Sequence, residues 1–279
     1  MSDRLRDKSA SLSGSPYASK AIPHSGTTLA AGYDATQAFL TPLTDNTTAF
    51  TVALAANGTQ NLDLSAAGAN TPNVSFGATS AASYSGTLTP YGNAYKLGGG
   101  ANLTVTGPLT NGPSAEVRTL SVTGAGAVIL NPTVGNTFTG DTTVAAGTLQ
   151  IDSALAFNNI ARNVIVNAAG TAKFNANNAA QGATVAVNTG GTANFSAANA
   201  ANGGLVNVNN SGTATFTATN AGSGGTFEVN SGGINATPWQ ARQRLACWPG
   251  PCWAQPPSRA TGVLNHDCQR FVRADLSRL

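Results

Sequence analysis

Charge is what this chain has least of: Asp, Glu, Lys and Arg make up 9% of its 279 residues, against roughly 25% in an ordinary globular protein. That scarcity leaves little material for salt-bridge networks or for paired catalytic carboxylates, so the surface must be built from Asn, Ser and Thr. Aromatic residues reach only 6%, and methionine occurs once. Residues 1–237 contain no cysteine; all three, Cys247, Cys252 and Cys268, fall in the last segment with the three tryptophans, Trp239, Trp248 and Trp253. A disulfide framework is therefore excluded from the body of the chain. The opening residues, MSDRLRDKSASLSG, lack the apolar stretch of a signal peptide. No run approaches the roughly 20 apolar residues of a membrane helix, so no membrane span is expected. A net charge of +3 is too small to argue for a nucleic-acid partner.

What the chain does have is glycine, 32 residues of it, and one line written several times. NVIVNAAGTAKF begins at Asn163, TVAVNTGGTANF at Thr184 and LVNVNNSGTATF at Leu205, a step of 21 residues. Comparing equivalent positions shows which way each points. Val164, Val185, Val206 and Phe227 share one slot, and Val166, Val187, Val208 and Val229 the slot two residues on; both stay apolar. The slot between them holds Ile165, Ala186, Asn207 and Glu228, a set running from apolar to charged, so it faces solvent with the period of two that marks a strand. The second strand repeats the logic, with Ala172, Phe174 and Ala176 inward and Lys173, Asn194 and Thr215 outward. Gly170, Gly191, Gly212 and Gly233 close the connection between the two strands and suit a corner of positive φ. Asn167, Asn188, Asn209 and Asn230 stand where each can bond its own backbone or its copy in the next unit. Each unit thus reads as strand, corner, strand and loose loop.

One such unit buries too little to fold alone, whereas stacked units share a continuous core and hydrogen-bond strand to strand. A step of 21 is too short for a strand–helix–strand unit of about 30 residues. It fits one coil of a parallel β-helix. From about Ser25 to Gly233 the chain then makes about ten coils and a rod of about 50 Å. Residues 1–25 read as a flexible leader, 26–117 as β-rich early coils, 118–237 as the repeat region and 238–279 as a non-repeating, disordered tail. No window keeps a helical spacing of apolar residues.

Ahead of the array stands LSVTGAGAVILNPTVGNTFTGDTTVAAGTLQI, residues 120–151. This resembles the autotransporter-associated β-strand repeat, also called the passenger-associated transport repeat. Asn136, Thr137, Phe138, Thr139, Gly140, Thr142, Thr143, Val144, Gly147, Thr148 and Leu149 fill its pattern, and Asp141 stands where the family usually has a second glycine. The resemblance implies an all-β, right-handed parallel β-helix (β-solenoid), a passenger segment of a large bacterial surface or secreted protein. In that family the repeat is associated with export and folding of the passenger. It implies an extracellular or cell-surface location and a structural, non-enzymatic display role, including adhesion to surface glycans or other cell-surface proteins. The chain shows no set of alternating ten-residue strands with aromatic girdles that would make an outer-membrane barrel. The alternative is a carbohydrate-binding or polysaccharide-degrading β-helix protein.

No residue set stands out as catalytic, cofactor-binding or metal-ligating. Glycoside hydrolysis needs two carboxylates about 5 to 10 Å apart, and from residue 120 the coils offer Asp141, Asp152 and Glu228, with Arg162 and Lys173 as bases. Asp141 and Asp152 lie half a coil apart and are expected on different faces. The glycines at 124–126 and 222–225 have no following helix to make a phosphate cradle. His24 is isolated, and Cys247, Cys252, His266 and Cys268 match zinc spacing poorly. The aligned Thr171, Thr192 and Thr213 offer a hydroxyl row to a sugar or to ice. Beyond Gly233 the pattern breaks into PWQARQRLACWPGPCWAQPP, with Arg242, Arg244, Arg259, Arg270, Arg273 and Arg278 and no Lys, as an out-of-frame reading of G+C-rich DNA would give.

Overall fold

The structure is a computed structural model that describes residues 25–41, 43, 49–65 and 73–230, and the backbone of 234–236 and 272–275. The cysteines, the tryptophans, His24, His266 and Gly233 lie outside the described residues. The chain winds into a parallel β-solenoid. Ten parallel strands form the first sheet, beginning with Thr28–Ala31 and ending with Thr226–Val229, and an antiparallel strand, Val272–Asp275, lies on its far edge. A second sheet of eight strands runs from Ala82–Tyr84 to Ile234–Ala236 on the next side of the coil. Its last strand pairs Thr213 with Ile234, so the coil path continues through 236 although the side-chain pattern has ended.

Each winding strand alternates as its sequence dictates. Thr184–Val187, Leu205–Val208 and Thr213–Phe216 all bury every second residue. The pairing puts Val164 over Val185, Val185 over Val206 and Val206 over Phe227, with Val166, Val187, Val208 and Val229 in the next column. On the second sheet the rings of Phe174, Phe195 and Phe216 stack at 4.7 and 4.5 Å, within 7° of parallel. Phe227, which replaces a valine in the last coil, meets Phe216 edge-on at 4.5 Å and 83°. Aromatic pairs of this kind add about 0.5–1.5 kcal/mol beyond their buried area.

The asparagines after the first sheet form a side-chain ladder along the axis. The Nδ2 of Asn188 donates to Oδ1 of Asn167 at 2.9 Å, Asn209 to Asn188 at 2.9 Å and Asn230 to Asn209 at 2.6 Å. Of the two roles open to these residues in sequence, binding the copy in the next coil is the one adopted.

Three features of the sequence reading change. The step of 21 holds throughout from Asn163 onward, whereas earlier steps vary: Phe76 pairs with Leu97 and Ala127 with Thr148, 21 residues on, but Ala94 pairs with Thr119 and Leu103 with Val128, 25 residues on. The earlier interiors hold Tyr84, Tyr95, Phe76 and Phe138; in register the Tyr84 column passes to Phe174, and those of Phe76 and Tyr95 pass to Val166 and Val164. The third side is also no loose loop. Ala180 N donates to Ala200 O and Ala201 N to Ala221 O, both at 2.7 Å, and Asn199 N to Asn220 O at 3.0 Å. Asn178, Asn199 and Asn220 adopt φ of 58°, 54° and 58°, which Asn tolerates better than most residues, and this turns Ala179, Ala180, Ala200 and Ala201 into the core.

The corner glycines, finally, are needed for proximity and not for positive φ. The left-handed residue is the one before each: Ala169 (63°), Gly190 (73°) and Ser211 (57°). A Cβ on Gly170, Gly191 or Gly212 would lie 2.5 Å from the carbonyl oxygen of Val144, Val166 or Val187 in the preceding coil. Gly191→Ala is therefore expected to cost about 1–3 kcal/mol. Gly190→Ala, which meets nothing closer than 3.6 Å and fills a slot where alanine and serine already occur, should cost about 1 kcal/mol, the low end of the left-handed penalty. Chemical denaturation of the two variants separates the explanations, and equal losses would restore the positive-φ reading.

The N-terminal end is closed by side chains. The helix Gln37–Leu40 buries Phe39 and Leu40 over the core, and Leu43, three residues beyond it, is buried there too. Gln37 imitates a neighbouring strand: its Nε2 donates to Asp63 O at 3.0 Å and its Oε1 accepts from Asp63 N at 2.8 Å. Asp34 accepts from the hydroxyl and backbone N–H of Thr59, and from Gln60. The Thr59 hydroxyl, then its N–H, holds this carboxyl below its ordinary value.

Candidate functional site

Two places on the rod concentrate polar chemistry: one inside a corner of the matched repeat, one on the outer face of the second sheet. The corner begins with Asn136, 1% exposed. Its Oδ1 accepts from Leu109 N and its Nδ2 donates to Ala156 O, both at 2.8 Å, so one side chain joins three successive coils. Two residues on, Phe138 turns into the core and meets Tyr95 at 6.3 Å.

Over Phe138 lies Arg162, only 5% exposed. Its guanidinium carbon sits 4.1 Å from the Phe138 ring centre and 4.5 Å from that of Phe157, and Nη2 donates to Phe157 O at 3.1 Å. Such cation–π contacts give about 2 kcal/mol when desolvated. Burial lowers the Arg162 pKa to about 10, so the group stays cationic at neutral pH. Arg118 lies in the same column two coils earlier, over the Tyr95 ring at 5.7 Å, with Nη1 donating to Tyr95 Oη at 3.2 Å. Gly140 occupies the coil between them, where a Cβ would lie 2.5 Å from Arg118 O. Downstream the slot holds Ala183, Gly204 and Gly225. Arg162 thus fills the step between the coils of varied length and the regular 21-residue ones.

The candidate acids do not converge. Asp141 precedes the first-sheet strand Thr142–Val144 and accepts from Asn163 Nδ2 at 3.0 Å. Asp152 follows the second-sheet strand Gly147–Ile151 and accepts from Gln150 at 2.8 Å and Asn175 at 2.9 Å. Glu228 faces outward from the last first-sheet coil. Arg162 is interior, and Lys173 is the one basic residue in the second-sheet strands among the described residues. Among the described residues no group of three His, Cys, Asp or Glu is placed to hold a metal ion. Gly124 packs on Gly99, and Gly225 lies against Ala201 and Gly204 of the preceding coil, so both glycine stretches face backbone.

The outer face of the second sheet carries aligned columns. Thr148, Thr171, Thr192 and Thr213 are direct partners, as are Gln150, Lys173, Asn194 and Thr215. At its margin Asn175 Nδ2 bonds Asp152 and Ser196 Oγ bonds Asn175. The lattice spacing is about 4.8 Å along the axis and about 6.6 Å across it. A shallow groove of about 270 Å³ on the earlier first-sheet coils is lined by Thr51, Ser75, Lys96 and Ser121 among others.

Fold and surface define a parallel β-solenoid with a polar, weakly charged exterior. Residues 120–151 match the family model of the passenger-associated-transport repeat, and a solenoid of this kind fits an autotransporter passenger-like protein. The match spans one whole coil and two sides of the next, including Asn136 and Phe138. No curated protein and no solved structure matches the chain. No helix among the described residues is long and apolar enough to cross a membrane. The sequence marks Arg162 only as one of the bases of the coils, and it gives no sign of the bridging role of Asn136. Neither residue recurs at the 21-residue step, so comparing copies offers no signal for them.

Proposed function

We propose that this chain is a non-enzymatic structural segment of an autotransporter-like passenger, a rigid rod that extends or displays other groups at a bacterial surface, with an adhesive capacity. The observation that supports this is the continuity of the stack: strands, side-chain asparagines and third-side backbone all bond coil to coil, while the acids stay dispersed. Repeat stacks of this kind gain stability from each neighbour interface, which suits an extended element outside the cell. Incubating the chain with a panel of surface polysaccharides tests the non-enzymatic part. No release of new sugar ends is expected; turnover abolished by Asp141→Asn or Asp152→Asn would overturn it.

The aligned Thr and Gln/Lys/Asn columns favour carbohydrate binding as the second reading. Glycan-array binding that falls at least about tenfold in a Thr192→Val/Asn194→Ala variant, roughly 1.4 kcal/mol, would support that reading. Binding that is absent, or unaffected by these changes, leaves the rod as display element alone.

A further inference from the structure

The two ends of the rod are finished differently. A solenoid exposes core and unpaired backbone at its last coils, and such edges template pairing with another chain unless covered. At the N-terminal end Asp34, Gln37, Leu40 and Leu43 seal the second and third sides of the coil. At the C-terminal end the columns keep their register, with Phe227 in the valine slot: Phe216 and Phe227 are each 6% exposed, the asparagine ladder reaches Asn230, and Thr226–Val229 keeps the step of its predecessors. That strand is shaped to receive another in parallel register. What lies on it instead is Val272–Asp275, antiparallel, with Thr226 opposite Asp275 and Val229 opposite Val272.

We propose that Val272–Asp275 is the C-terminal cap of the rod, occupying an edge that otherwise accepts a strand from a second copy of this chain. Its orientation is the argument. Every earlier join in the first sheet is parallel, whereas the hydrogen bonds of an antiparallel pair have a different spacing and slant. The cap satisfies the edge without offering the register on which a further coil builds. The competing strand is Thr28–Ala31, at the opposite edge of the same sheet. Its Leu29 pairs with the inward Val52, and that column runs in register down to Val229, so Thr28–Ala31 fits the end of the column that Val229 leaves open. Such head-to-tail contact does not close on itself and produces open chains of molecules.

The test uses the full chain with Arg273→Pro/Ala274→Pro. Adjacent residues of a strand point their N–H groups to opposite sides, so one proline removes a donor facing Thr226–Val229. Sedimentation over a hundredfold concentration range and amide exchange are read together. The native chain is expected to stay monomeric. In the variant, amides 226–229 exchange at least about tenfold faster, and mass rises with concentration in whole-chain steps. Unchanged exchange in Thr184–Val187 and Leu205–Val208 shows that the rod is intact. A second variant, Val272→Gly/Arg273→Gly/Ala274→Gly, weakens the strand without proline and should respond less strongly in the same direction. Variants that remain monomeric, whether or not 226–229 exchange faster, overturn the capping role, as does a native chain that associates as readily as they do.

Discussion

Phe138→Ala is expected to destabilise the rod by about 3–5 kcal/mol, among the largest losses any single side chain of this molecule can produce. The ring is fully buried, in contact with Tyr95 and with one face of the Arg162 guanidinium. Removing it opens a void and also leaves a buried cation covered on one face only. Phe195→Ala supplies the comparison, since Phe195 is equally buried between two stacked rings with no cation beside it. A double-mutant cycle with Arg162→Met isolates the cation–ring contribution, expected at about 1–2 kcal/mol. Denaturant midpoints measure the totals, and additive losses in the cycle would show that Arg162 and Phe138 merely share a corner.

Asn136→Leu is expected to cost about 2–5 kcal/mol, because it strands two buried backbone groups, Leu109 N and Ala156 O, at about 1–3 kcal/mol each. Asn136→Asp makes the chemistry visible through pH. The introduced carboxylate can still accept from Leu109 N but faces the Ala156 oxygen with no proton to donate. Burial raises its folded-state pKa above the unfolded value. The variant is therefore expected to be most stable at low pH and to lose stability as pH rises through that raised value. A stability difference from the native chain that does not vary with pH would refute the bridge.

These two residues also mark where sequence reading stops. The columns Val164–Val185–Val206 and Phe174–Phe195–Phe216 were legible because internal copies let a position be compared with itself, and the apolar slots held while the slots between them varied. The asparagine ladder was legible for the same reason, although its partner was not. The corner glycines point to the wrong cause in sequence: Gly191 looks like a φ requirement in one coil, and only the coil beneath it supplies the Val166 oxygen that excludes a Cβ. Asn136, Arg118 and Arg162 occur once each in their corners, and nothing local distinguishes a bridging amide from a turn residue, or a ring-stacked guanidinium from a solvated one.

The candidate binding face stands between these cases. The alignment of Thr171, Thr192 and Thr213 follows from the step. Its extension to Thr148, and its company of Gln150, Lys173 and Asn194, depend on a register that passes through a longer coil. The dispersal of Asp141 and Asp152 on different sides was readable from their half-coil separation, but their engagement by Asn163 and Asn175 was not.

By itself the sequence determined the architecture: a period of two within strands and of 21 across them permits only stacked coils, because one coil cannot bury enough to stand alone. Tertiary structure alone decided how the early coils of varied length meet the regular later ones, which backbone groups Asn136 joins, and how each end of the rod is covered. Those are contacts between residues about 20 or more apart in the chain, and their energies arise from the geometry of neighbouring coils, which no local pattern encodes.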